Sequence, residues 1–397
     1  MNRELEAKLI EQVTKNPSSL RYIEEQTEAI CLAALAKNRN VFKYIKDKSS
    51  NFYLRALKND GLLLEFINDK DDELCLAAVN SNGLALQYVN NKTIEIISAA
   101  INNTGFALQF IEEQTPDICL VAVERNGLAL QYVKYQTPEI CLAAVKDFGN
   151  ALEFVKHQTE EICLTAVTSN PRSILFVENQ TEEICLTAVK GDGNLLDLVK
   201  EQTPEICLAA VKEISSSLEY VIDQTEEICL AALERSSHSF KFIKDKTPNL
   251  CLSAVKIDGL ILEHVKNKTL EICSAAVEQN PKALMFAEYQ SETMRFNAVS
   301  KDWRVLKYAQ CQSADTCIAA IKQSLESFKY IICNKRNYLE VLKFLISNNQ
   351  KDEKILNKII KRYHDKEFKD IYTKHNLWKY VDFSKLKKLD DKYTMVL

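Results

Sequence analysis

The sequence predicts an all-α protein, a right-handed superhelical α-solenoid of about fifteen 22-residue helix-pair repeats with a C-terminal helical cap. Three observations predict it. A period of 22 residues runs from Leu5 to Asn334 without insertion or deletion. Apolar residues inside each repeat fall at helical rather than alternating spacing. Helix-starting and helix-breaking residues recur at fixed places in the period. No repeat buries its apolar face alone, so neighbours must stack.

Positions are numbered from the threonines at Thr115, Thr137, Thr159, Thr181, Thr203 and Thr225. Position 1 is Thr or Ser in most repeats, followed by Pro116, Pro138, Pro204 and Pro248, or by Glu160, Glu182 and Glu226. An N-cap, an N1 proline and carboxylates at the positive end of the helix dipole start a first helix of about ten residues. Its inner face holds positions 4, 5, 8 and 9, for example Ile140, Cys141, Ala144 and Val145. Position 8 is Ala from Ala34 to Ala320, and a methyl there lets neighbouring helices approach closely.

Asn or Asp at position 12, followed by Gly or Pro at position 13, ends that helix, as at Asn126-Gly127 and Asn170-Pro171. A left-handed glycine is the expected device. Leu or Phe at position 16, an aromatic at 18 and Val or Ile at 19 then predict a second helix of about seven or eight residues. A strand in this place, giving a leucine-rich-repeat-like horseshoe, is the competing reading, but the L-x-x-L-x-L-x-x-N frame is absent. Position 18, from Tyr22 to Tyr330, reads as a half-buried seam; a column of stacking platforms for bases is the alternative. Position 22 is Gln, Lys or Asn and is placed to satisfy carbonyls at the end of the second helix.

Two domains are expected: residues 1–334 as the solenoid and 335–397 as a basic C-terminal helical segment. The whole chain has a formal charge of -4, but the segment carries 16 Lys and Arg against 9 Asp and Glu, leaving 35 against 46 before it. An acidic array argues against phosphate tracking along the solenoid. Lys354, Lys358, Lys361 and Arg362 are a candidate basic surface for nucleic acid or an anionic membrane, set against an ordinary solvated helix face.

Eleven of the 13 cysteines share position 5, from Cys31 to Cys317. Equivalent atoms on stacked helices lie roughly 8–10 Å apart, beyond the roughly 7 Å Cα limit for a disulfide. The thiols therefore read as small buried hydrophobes in a reducing, intracellular compartment. No C-x-x-C occurs, and His157, His238, His264, His364 and His375 form no ligand spacing with the cysteines, so no metal or cofactor is expected. No apolar run reaches the roughly 18 residues of a membrane span, and the first residues are charged where a signal peptide is apolar.

The paired carboxylates Glu160-Glu161, Glu182-Glu183 and Glu226-Glu227 recur in series at helix starts, where a catalytic pair would occur once. Phosphate-loop, dinucleotide, zinc-protease and nucleophile-elbow motifs are absent, so no enzyme is expected.

At QTPEICLAAVKDFGNALEFVKHQT, from Gln136 to Thr159, the array resembles the repeat family catalogued as domain of unknown function 4116. The likeness covers nearly all of residues 5–334 and implies a repeat architecture, an origin of giant-virus type, and no assigned activity. Departures concentrate at the ends, where the repeat from Leu5 lacks Cys and Ala, and Trp303 and Leu325 stand in the glycine slot.

The functional expectation is a non-enzymatic scaffold that binds another protein through positions 10, 11, 17, 20 and 21. The alternatives are nucleic-acid association through the basic C-terminal segment, and a structural role in a virion or viral factory.

Overall fold

The computed structural model describes residues 2–332 and 334–348, together with 371, 373 and 374. The described elements alternate without exception from Arg3 to Tyr330, an α-helix followed by a 3-10 helix, and no strand occurs among them. The chain falls into two compact bodies, Met1–Val221 and Ile222–Leu397. Over its described residues each is an all-α solenoid in which every repeat packs on its sequence neighbours within the body. In the second, the helix Lys335–Ser347 follows the last repeat and closes it: Tyr338 is buried, its hydroxyl donates to the Ile331 carbonyl at 2.8 Å, and its ring meets Phe328 edge-on.

The first helix of each repeat forms as its residues dictate. Pro138–Asp147 starts at Thr137, whose Oγ1 accepts the Ile140 amide at 3.3 Å, and has Pro138 at N1 and Glu139 in its first turn. Ile140, Cys141, Ala144 and Val145 form its buried face, with Ala144 wholly enclosed. Ala144→Leu is expected to lower the free energy of unfolding by roughly 1–3 kcal/mol, because three extra carbons must enter a filled seam. A chemical denaturation curve indistinguishable from the parent would place this face wrongly.

The second element is shorter and tighter than the sequence suggested. It is a six-residue 3-10 helix, Gly127–Tyr132 in the same region, with Leu130 and Val133 buried three residues apart. Three residues per turn put positions 13, 16 and 19 in line. A 3.6-residue turn would rotate position 19 off the core.

The glycine slot also works differently from the expectation. No glycine among the described residues has a left-handed φ. The turn is made by position 12, which is extended: Asn126 has φ -160° and ψ 110°, and its Oδ1 accepts the Leu128 amide at 3.0 Å to cap the 3-10 helix. Glycine is needed for proximity. A Cβ on Gly61, Gly83, Gly105, Gly127, Gly149, Gly193 or Gly259 would lie 2.1–2.5 Å from the position-8 alanine carbonyl oxygen of the next repeat. Within each body, the 3-10 helices that begin with these glycines pack most closely on the following α-helix.

Candidate interaction surface

Which side chains face a partner depends on which the framework already uses. Every glutamine at position 22 is engaged with the next repeat. Gln158 donates from Nε2 to the Phe176 carbonyl of the next repeat at 2.8 Å, and its Oε1 accepts the Glu178 amide at 3.0 Å. The Cys163 thiol, also in the next repeat, points at the same Oε1 from 3.5 Å. Gln136 repeats the pattern with Phe154, Lys156 and Cys141. Gln26 adds the Leu20 carbonyl of its own repeat, at 3.1 Å, to Tyr44, Lys46 and Cys31 of the next. One amide thus joins two 3-10 helix ends and one α-helix.

This ladder explains why cysteine stands at position 5. A small apolar side chain with one weak donor fills the site beneath a glutamine oxygen that still has a lone pair. Lysine has no acceptor to offer here: Lys70 Nζ keeps the donor half and reaches the Tyr88 carbonyl at 2.8 Å, whereas Lys246 Nζ turns to the Ile243 carbonyl of its own repeat and the Cys251 thiol to the Lys246 carbonyl. All eleven column cysteines are buried and unbridged.

Burial pushes the Cys31 thiol up to about 11, with the carboxylates of Asp47 and Glu28 adding to it. Burial also raises Cys75, Cys119, Cys141, Cys163, Cys185, Cys229 and Cys251. None is set up as a nucleophile, which needs the opposite shift. The folded chain holds these protons more tightly than the unfolded one, so their contribution is complete below about pH 8.5, the pKa of a free thiol, and disappears as pH rises through the folded values. The melting temperature should therefore be level near neutrality and fall above about pH 8.5. Replacing Cys141, Cys163 and Cys185 by alanine should make that alkaline fall shallower; an unchanged slope would assign it to other groups.

Positions 11 and 20, expected at the binding surface, are partly spent on the framework. Asp147 Oδ2 accepts the Gly127 amide of the preceding repeat at 2.8 Å, and Asn103 does the same for Gly83 at 2.7 Å. In the second body Gln279 and Gln323 hold the amides of Gly259 and Trp303. At position 20, Lys46, Lys134, Lys156 and Lys200 each reach back to the position-20 carbonyl of the previous repeat, at 2.6–3.1 Å. Positions 10, 17 and 21 remain. In the three repeats from Thr137 they are Lys146, Glu153, His157, Thr168, Leu175, Asn179, Lys190, Asp197 and Glu201, all exposed.

The aromatics of position 18 are mostly half-buried, as Tyr132, Phe154 and Phe176 are, in keeping with a seam between repeats. Lys354, Lys358, Lys361 and Arg362 lie outside the described residues. Among the described residues no group of histidines, cysteines and carboxylates is placed to hold a metal, and no helix is long and apolar enough to cross a membrane. A shallow groove between Pro248–Ile257 and Leu270–Gln279 is lined by Leu252, Lys256, Leu270, Glu271, Ser274, Ala275 and Glu278 and brings together no set of reactive groups.

Fold and surface together define a helical-repeat protein of the solenoid class. Residues 50–94, two full periods of the array, match the model of the family described as Domain of unknown function (DUF4116). The resemblance read from Gln136–Thr159 thus recurs, as a family match, in another part of the same array. No curated protein matches the chain.

Proposed function

We propose that the chain is a non-enzymatic scaffold of giant-virus type that binds another protein through the exposed positions 10, 17 and 21. The observation that carries this reading is the split between the two sets of positions. Position 8 is alanine from Ala34 to Ala320 and position 22 stays Gln, Lys or Asn, while position 17 passes through Glu153, Leu175 and Asp197 in successive repeats. A framework that repeats under a surface that does not is the organisation of a solenoid binding surface. The catalytic alternative has little to draw on: the recurrent cysteines are buried, and the recurrent glutamates sit at helix starts. Eleven buried, unbridged thiols favour a reducing, intracellular compartment.

Affinity capture with the tagged full-length chain, divided into nuclease-treated and untreated halves, tests the reading. One protein recovered in stoichiometric amount from both halves is the expected result. Recovery abolished by nuclease would replace it with nucleic-acid tethering.

A further inference from the structure

The repeats from Ser291 and Ser313 break the pattern of the face formed by positions 13, 14, 17 and 18. Cations stand on that face in other repeats too, at Arg21, Arg39, Lys43, Arg172, Lys241 and Lys282, while the repeats from Thr137 and Thr247 are neutral or acidic there, with Gly149, Asn150, Glu153 and Phe154 in one and Gly259, Leu260, Glu263 and His264 in the other. Here it reads Trp303, Arg304, Lys307 and Tyr308, then Leu325, Glu326, Lys329 and Tyr330. Three cations face one carboxylate, and Trp303 adds to them a large aromatic ring, an indole, that no other repeat of the array carries.

The geometry gathers these side chains. Trp303 occupies the slot that glycine fills in seven other repeats, and its ring reaches the next repeat, 6.3 Å from the Tyr330 ring and inclined by 30°. Lys329 Nζ lies 5.9 Å from the Trp303 ring centre and 4.9 Å from that of Tyr330. Arg304 sits 5.2 Å over Trp303, and Lys307 Nζ 4.6 Å over Tyr308. Arg304 also pairs with Asp302 at 3.5 Å, but Lys307 and Lys329 enter no ion pair among the described residues. The three cations are exposed, and the three aromatic residues are half-buried, each keeping part of its surface open to solvent.

We propose that this aromatic and basic cluster, Trp303, Arg304, Lys307, Tyr308, Lys329 and Tyr330, is a binding site for single-stranded nucleic acid. Rings that offer a face take an unpaired base by stacking, and lysines not locked to carboxylates take the flanking phosphates. An acidic protein segment would use the cations but leave the rings without a planar partner. The site is distinct from the protein-binding surface proposed above and stands or falls separately.

The test is fluorescence anisotropy of a labelled, mixed-sequence single-stranded 20-mer, as RNA and as DNA, titrated with the full-length protein. The expected affinity falls steeply between roughly 50 and 200 mM salt. Lys307→Glu/Lys329→Glu should weaken binding at least about tenfold and, by removing two phosphate contacts, reduce the log–log salt slope by about 1.4. Trp303→Leu, which copies the Leu325 of the next repeat, should cost about 5- to 150-fold if one base stacks there. In a Trp378→Phe background, which leaves Trp303 as the one tryptophan, its emission should be quenched by the oligonucleotide. Matching circular-dichroism melts establish that the variants fold. Absence of binding at low salt overturns the proposal, as does binding undiminished in the lysine double variant, which would place it elsewhere in the chain. Patch-dependent binding of polyglutamate without binding of the oligonucleotide overturns it in favour of an acidic protein partner.

Discussion

Gly127→Ala is expected to destabilise the protein, although alanine is ordinarily the better residue in a helical segment. Alanine for glycine gains roughly 0.5–1 kcal/mol through the unfolded chain and helix propensity. Against this, the new Cβ would lie 2.4 Å from the Ala144 carbonyl oxygen and 3.1 Å from the Phe148 Cβ. The first obstacle is backbone, so relief requires the two repeats to separate, which draws Leu130 and Ala144 out of a filled seam. Overpacking of this kind costs typically 1–3 kcal/mol, and the net loss should be about 1–2 kcal/mol. Gly191→Ala is the comparison, because a Cβ on that glycine, the last residue of its helix, would also collide, but with the Pro171 ring of the preceding repeat rather than with a backbone carbonyl. Denaturant titration of both variants is the measurement. A stabilised Gly127→Ala would show that proximity does not decide this position.

The second large effect is expected at the glutamine ladder. Gln158→Leu keeps the approximate volume but removes the donor to Phe176 and the acceptor for Glu178 and Cys163. A buried polar group left without its partner costs about 1–3 kcal/mol. The Phe176 carbonyl is part-buried and the Glu178 amide is solvent-exposed, so water replaces some of what is lost. The expected destabilisation is therefore about 2 kcal/mol rather than the sum for two buried groups. Gln158→Lys should cost less, because Lys70 already carries out the donor half of the task against Tyr88. The order Gln, Lys, Leu in thermal stability is the prediction. Hydrogen exchange should show the Glu178 amide losing protection in both variants. Leucine equal to glutamine would reduce the ladder to a spectator of the packing.

These two residues mark where the sequence was legible and where it was not. The 22-residue period, the threonine caps and the column of alanines set element type and repeat boundaries, because each acts within its own segment or by simple steric exclusion. The purpose of Gly127 was not legible, since the oxygen that forbids a side chain there belongs to Ala144, seventeen residues later. Gln158 was read as a cap for its own repeat because its main partners, the Phe176 carbonyl and the Glu178 amide, are backbone groups that no residue type announces. Positions 11 and 20 misled for another reason. Asn103, Asp147, Gln279 and Gln323 perform the same task with different side chains, and that variety looks like a recognition surface. Trp303 was visible as a departure from the glycine slot, but its approach to Tyr330 and Lys329 needed the stacking of two repeats to appear.

The division between a spent framework and a free surface is the claim on which the functional reading depends, and one variant addresses it directly. Exchanging the exposed residues Lys146, Glu153, His157, Thr168, Leu175, Asn179, Lys190, Asp197 and Glu201 for the side chains at the same positions in other repeats leaves every ladder contact in place. Exposed substitutions of this kind usually change stability by within about 0.5 kcal/mol each. The measurement is the affinity of this variant for the protein recovered by nuclease-insensitive capture, made beside its melting curve. A parental melt with binding weakened at least about tenfold, or about 1.4 kcal/mol, is the predicted result. Parental affinity for that protein would contradict the account, because recognition would then lie outside the positions that the framework leaves free.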